Sequence, residues 1–94
     1  MKKADYSKMR ELLIAQETFP LRFTYKFIGR NTPAFLAAVL RFEGEHPTLT
    51  LESSRQSANQ QHVSRTYVFD APNVDVIIEI YKRIEKLEDV LVML

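Results

Sequence analysis

Between Leu21 and Phe27 apolar and polar residues alternate without a break. Leu21, Phe23, Tyr25 and Phe27 take every second position, with Arg22, Thr24 and Lys26 between them. Successive side chains of a strand point to opposite faces of its sheet. The segment is therefore a strand with one face in a core and the other turned outward. A one-residue slip would bury Arg22 and Lys26, so the register is strongly specified.

The segments after this strand set the topology. Arg30-Asn31-Thr32-Pro33 reads as the start of a helix, with Thr32 as N-cap and Pro33 at the first helical position, where no N–H is needed. Phe35, Ala38, Val39 and Phe42 form that helix's apolar stripe, widened by Leu36 and Leu40, and Gly44 or His46-Pro47 ends it. Thr48 to Ser54 reads as a second strand, with Leu49 and Leu51 on one face and Thr48, Thr50 and Glu52 on the other. Residues 53 to 61, SSRQSANQQ, read as a long, mobile hairpin loop without the tight Asn-Gly signal.

A third strand is expected from His62 to Asp70, with Val63, Tyr67 and Phe69 facing the core. Arg65 falls on the core side of this strand, and its head is expected to reach solvent from the strand end. Asn73 caps a second crossover helix, in which Val74, Ile77, Ile78, Tyr81 and Ile84 recur at helical spacing and Glu79 sits four residues before Arg83. The unbroken apolar run Val90-Leu91-Val92-Met93-Leu94 suggests a central or covered strand. A short helix from Asp5 to Gln16, capped by Asp5 or Ser7, precedes all of these elements and stops before Pro20.

The order helix, then β-α-β-β-α-β, is that of an α+β, ferredoxin-like sandwich: a four-stranded antiparallel sheet with two helices on one face. Residues 1–18 form an N-terminal helical extension and residues 19–94 the domain, and a chain of 94 residues has room for only one. By alternation, the sheet face without helices carries Arg22, Thr24, Lys26, Thr48, Thr50, Glu52, Ser64, Thr66 and Val68, with an apolar spot at Leu91 and Met93. The N-terminal helix, through Met9, Leu12 and Leu13, either covers that spot or is partly frayed.

Several chemistries find no support. There is no cysteine, which excludes disulfides, thiol nucleophiles and thiolate-bound metals. His46 and His62 lack partners at metal-ligand spacing, so no metal site and no cofactor is expected. No glycine-rich phosphate loop or Ser-His-Asp order is present, and Glu43/Glu45 and Glu88/Asp89 read as ordinary surface carboxylates, so the chain is expected not to be an enzyme. Lys plus Arg number 13 against 12 Asp plus Glu, a net charge of only +1. Nucleic-acid binding is therefore not expected, the more so because Phe23, Tyr25, Phe27, Tyr67 and Phe69 all fall away from the open face, where bases would stack. Without a signal-peptide pattern or a membrane-length apolar run, a cytoplasmic protein with no membrane partner is expected.

Phe19-Pro20 followed by Phe23-Thr24-Tyr25-Lys26 and Gly29, with Ile80-Tyr81, Lys86, Val90 and Leu94 in the C-terminal half, resembles the YbeD-like family of small bacterial proteins of unknown function. The resemblance covers residues 19 to 94 and implies a ferredoxin-like fold similar to ACT-type regulatory domains. Ser57 to His62 departs from the glycine-containing hairpin usual in that family. An ACT-like domain implies a small-ligand site, for an amino acid or carboxylate, at Gly29, Arg30, Asn31 and Thr32, where donors meet a helix N-terminus. The leading expectation is instead a regulatory or adaptor protein working by protein contact, with a partner or as a homodimer. Its contact surface is the open sheet face, through Arg22, Thr24, Lys26, Ser64 and Thr66, together with the hairpin that carries Arg55.

Overall fold

A computed structural model describes residues 6–94; the expected cap Asp5 lies outside the described residues. The elements run α1 (Tyr6–Gln16), β1 (Leu21–Arg30), α2 (Pro33–Glu45), β2 (Thr50–Gln56), β3 (His62–Ala71), α3 (Val74–Glu85) and β4 (Val90–Met93). The four strands form one antiparallel sheet in the order β2-β3-β1-β4, the ferredoxin-like arrangement with an added N-terminal helix. The expected caps are in place. Thr32 accepts from the Phe35 N–H at 3.1 Å and Asn73 from the Val76 N–H at 3.1 Å, each satisfying a helix-start donor.

The core is aromatic and lies between sheet and helices. Phe23 pairs with Phe69 and Tyr25 with Tyr67 across β1 and β3. Tyr25, Phe27, Phe42 and Tyr67 are fully buried, and Phe27 and Tyr67 stack with centroids 5.8 Å apart. The Tyr25 hydroxyl, deep in this core, donates to the Ile77 carbonyl at 2.9 Å, so burial leaves no orphaned donor. β1 does not end at Gly29; it continues to Arg30, because what Gly29 supplies is closeness rather than a turn. A methyl group there would overlap the Phe35 ring. Gly29→Ala is expected to destabilise the protein by about 1–3 kcal/mol, as overpacking does, and Phe35→Leu in the same chain to recover part of it. Urea unfolding midpoints of the single and double variants check this.

Four expectations are corrected by tertiary contacts. First, α1 lies neither on the sheet nor free. Tyr6, Met9 and Leu13 pack on Val74, Ile78 and Tyr81 of α3, the Tyr6 hydroxyl donates to Glu85 at 2.8 Å, and Arg10 pairs with Asp75. Second, β4 is an edge strand, not a central one. Met93 stands opposite Phe27 and packs on the core, whereas Val92 stands opposite Ile28 and is 43% exposed. The register shifts between Ile28 and Gly29, where Val90 takes Gly29 and Leu91 is skipped, so Leu91 and Met93 are not the apolar spot of the open face. Third, β2 runs to Gln56 rather than stopping at Ser54, and the hairpin is a short turn. Ser57 N–H donates to the His62 carbonyl at 2.9 Å, Asn59 Oδ1 accepts from Ser57 Oγ and the Gln61 N–H, and Gln60 takes the left-handed conformation at φ 60°. Fourth, Arg83 pairs with Glu45 of α2 at 2.8 Å rather than with Glu79, tying the two crossover helices together.

Arg65 is the fifth and largest departure. Its head does not extend freely into solvent but turns against α2, with the side chain 12% exposed. Nη2 meets Glu43 Oε2 at 2.6 Å, Nε donates to the Tyr67 hydroxyl at 2.9 Å and Nη1 to Ser54 Oγ at 3.2 Å. The Tyr67 hydroxyl also donates to Glu43 Oε2, at 2.6 Å. A core-side arginine is tolerated because every charged group around it is matched. Glu43, unlike an ordinary surface carboxylate, belongs to this network.

Candidate functional site: the open sheet face

The pairing register places Arg22, Thr24, Lys26, Ser64 and Thr66 on the sheet face opposite the helices. Arg55 joins them through an irregularity. Strict alternation from Leu51 would turn Arg55 toward the helices, but the register shifts between Leu51 and Ser53, which sets Ser53 opposite Thr66 and Arg55 opposite Ser64. Glu52 is the extra residue of this bulge, and Thr48 precedes the strand. Val68 sits mid-sheet between Thr24 and Thr50 and is buried even on this open side.

Ile28 and Arg30 also belong to this face, although a strand ending at Gly29 does not bring them in. The signal that finds them is the same alternation: the even positions 22, 24, 26, 28 and 30 share a side, and Gly29 does not interrupt the strand. With β4 in its observed register, Val92 completes the apolar strip beside Ile28. Ile28, Arg55, Gln56, Ser57, His62 and Ser64 line a shallow hollow of about 220 Å³.

The charges on this face are unevenly matched. At one end Arg22 stands opposite Asp70, 3.5 Å away. Lys26, by contrast, stands opposite Thr66, Arg30 opposite His62 and Arg55 opposite Ser64. Elsewhere Arg10, Arg65 and Arg83 each have a carboxylate partner.

Gly29, Arg30, Asn31 and Thr32 occupy the turn from β1 into α2, and their backbone donors are engaged by the chain itself. The Arg30 N–H donates to the Asp89 carbonyl, the Asn31 N–H to the Gln61 carbonyl and the Thr32 N–H to the Arg30 carbonyl, each at 2.9 Å. The Asn31 side-chain amide reaches the Gln60 carbonyl at 2.8 Å. Thr32 Oγ1 donates to Asp89 Oδ2 at 2.6 Å, so the chain's own carboxylate stands at the N-terminus of α2. Asp89 reaches this position with φ 63°, in the left-handed region. Glu88/Asp89 is therefore not simply a surface pair.

A second groove, of about 530 Å³, runs between α2 and the edge strand β2, with Leu36, Val39 and Val63 forming its apolar wall and Asn31, Ser54 and Gln56 its polar rim. Among the described residues there is no group of three or more His, Asp or Glu side chains placed to hold a metal ion, and no helix is long and apolar enough to cross a membrane.

The fold and its faces define a small α+β domain with one sheet face closed by helices and the other, among the described residues, bare. Residues 15–94 match the family described as protein of unknown function (DUF493), and the chain belongs to that family. No curated protein matches the chain.

Proposed function

We propose that this protein is a non-enzymatic regulatory or adaptor module that works by protein contact, and that the bare sheet face is its contact surface. The observation that carries this reading is the position of α1. Among the described residues, the one element beyond the βαββαβ unit packs on α3, which leaves Thr24, Lys26, Ser53 and Arg55 exposed and Val92 beside them. A nearly flat, small-polar face with an apolar margin suits a transient partner better than a deep pocket chemistry.

Amide hydrogen exchange on the protein alone and with a stoichiometric co-purifying partner tests it. Protection is expected in β1, β3 and the C-terminal strand, with α1 and α3 unchanged; protection confined to α2 and α3 would sink the proposal.

An ACT-like sensor of amino acids or small carboxylates has less support, because the donors of residues 30–32 already hold Asp89, Gln60 and Gln61. A ligand that binds only the native state raises its stability. Free amino acids are therefore expected to leave the melting temperature unchanged. A rise that disappears in Arg30→Ala would favour the sensor instead.

A further inference from the structure

We propose that the end of the open face built by Lys26, Arg30 and Arg55 takes an acidic segment of a partner protein, with an apolar side chain of that segment seated on Ile28. The inference rests on the reading of this face as a contact surface and names the chemistry of what it contacts.

Most arginines of this chain meet a carboxylate. Of seven, Arg10, Arg22, Arg65 and Arg83 are matched by Asp75, Asp70, Glu43 and Glu45. Among the described residues Arg30, Arg41 and Arg55 have no such carboxylate, and two of these three lie on the same end of the same sheet face, with Lys26 between them and Arg22. The chain's net charge is only +1, so this concentration is local and not a sample of a general basic excess.

The spacing suits an extended acidic segment. Lys26 and Arg30 flank Ile28 on one strand at roughly 7 Å each way, and Arg55 stands two strands away, roughly 10 Å across the sheet. Alternate side chains of an extended peptide repeat at roughly the same 7 Å, so carboxylates two residues either side of an apolar residue reach the two cations of β1 together. Ile28 is half-buried at the edge of the hollow lined by Ser64 and His62, which offers the apolar residue a floor and hydroxyl or imidazole donors at its rim. Asp70 stands at the far end of the face with Arg22, and Asp89 is turned to Thr32. Nucleic acid fits less well, since among the described residues the face has cations but no Phe, Tyr or Trp ring on which to stack a base; those rings of β1 and β3 face the helices.

The test uses the full chain, isotope-labelled, titrated with a synthetic decapeptide of glutamates and aspartates around one central leucine. Amide shifts are expected at residues 26–30, 55 and 62–64, weakening as salt rises. The double charge reversal Lys26→Glu/Arg55→Glu is expected to lower the affinity about tenfold or more, whereas Arg41→Glu, a charge reversal on α2, leaves it in place. Weakening by Arg41→Glu of half that size or more on a logarithmic scale, in proportion to its charge change of about −2 against about −4, would reduce the effect to net charge and overturn the site. Tighter binding of a single-stranded RNA oligonucleotide at the same residues would replace the acidic-protein assignment with a polyanion one. Should the peptide move nothing while a cellular partner still protects the open face from exchange, the contact reading stands and the acidic assignment falls.

Discussion

Glu43→Ala is expected to destabilise the protein by about 3 kcal/mol, the low end of what breaking a buried ion pair costs, because Glu43 keeps partial exposure. The substitution leaves the Arg65 guanidinium against α2 with Tyr67 and Ser54 but without its counter-charge, and it leaves the Tyr67 hydroxyl without an acceptor. In a chain of this size that loss lowers the melting temperature by about 12–24 °C. Glu45→Ala, two residues on, breaks an exposed pair with Arg83 and is expected to cost under about 1 kcal/mol. Replacing both charges with apolar residues, Glu43→Leu with Arg65→Met, is expected to recover most of the loss, since two charges leave the interior together. Urea unfolding of these variants beside the parent chain measures this directly. A Glu43→Ala cost no larger than that of Glu45→Ala would show that the network is a surface feature.

The second large effect is alkaline unfolding. All four tyrosines are pushed above the ordinary value near 10, mainly by burial. At Tyr67 and Tyr6 a hydrogen bond to a carboxylate pushes in the same direction, while Arg65 opposes it at Tyr67. The folded state therefore holds protons that the unfolded chain releases. That contribution is complete below pH of about 10, where tyrosine is protonated in both states, and is lost as pH rises further. The two fully buried rings, Tyr25 and Tyr67, together remove roughly 3 kcal/mol of stability per pH unit above that point. A total stability of about 5–9 kcal/mol, the lower part of the usual range for a small domain, is exhausted within two to three pH units. Phenolate absorbance and circular dichroism are expected to change in one step. Phenolates forming near pH 10 with the fold intact would contradict the burial of these rings. Tyr67→Phe shallows the slope by one proton.

The strongest sequence signals were those whose physics is local. Alternation in Leu21–Phe27 fixed which face of β1 is aromatic, the Thr32-Pro33 and Asn73 caps set the helix starts, and the spacing of Val74, Ile77, Ile78, Tyr81 and Ile84 set the buried face of α3. Each depends on neighbours a few residues away, so the sequence carries it openly. The six open-face residues, Arg22, Thr24, Lys26, Arg55, Ser64 and Thr66, were legible for the same reason, apart from Arg55, whose side depends on a bulge that only the pairing with β3 creates.

What a single sequence does not carry is which distant group meets which. The docking of α1 on α3 depends on Tyr6 and Glu85, 79 residues apart, and the safe burial of Arg65 on Glu43, 22 residues away. The edge position of β4 and its shifted register follow from pairing with β1, not from its own apolar run. Sequence by itself thus determined the βαββαβ order and which residues of β1 and β3 point away from the helices, because hydrophobic period and capping are properties of short segments. Tertiary structure alone decided that, among the described residues, this face stays uncovered and which of its cations lack a carboxylate, because charge pairing and helix docking are settled only when remote segments arrive at the same place.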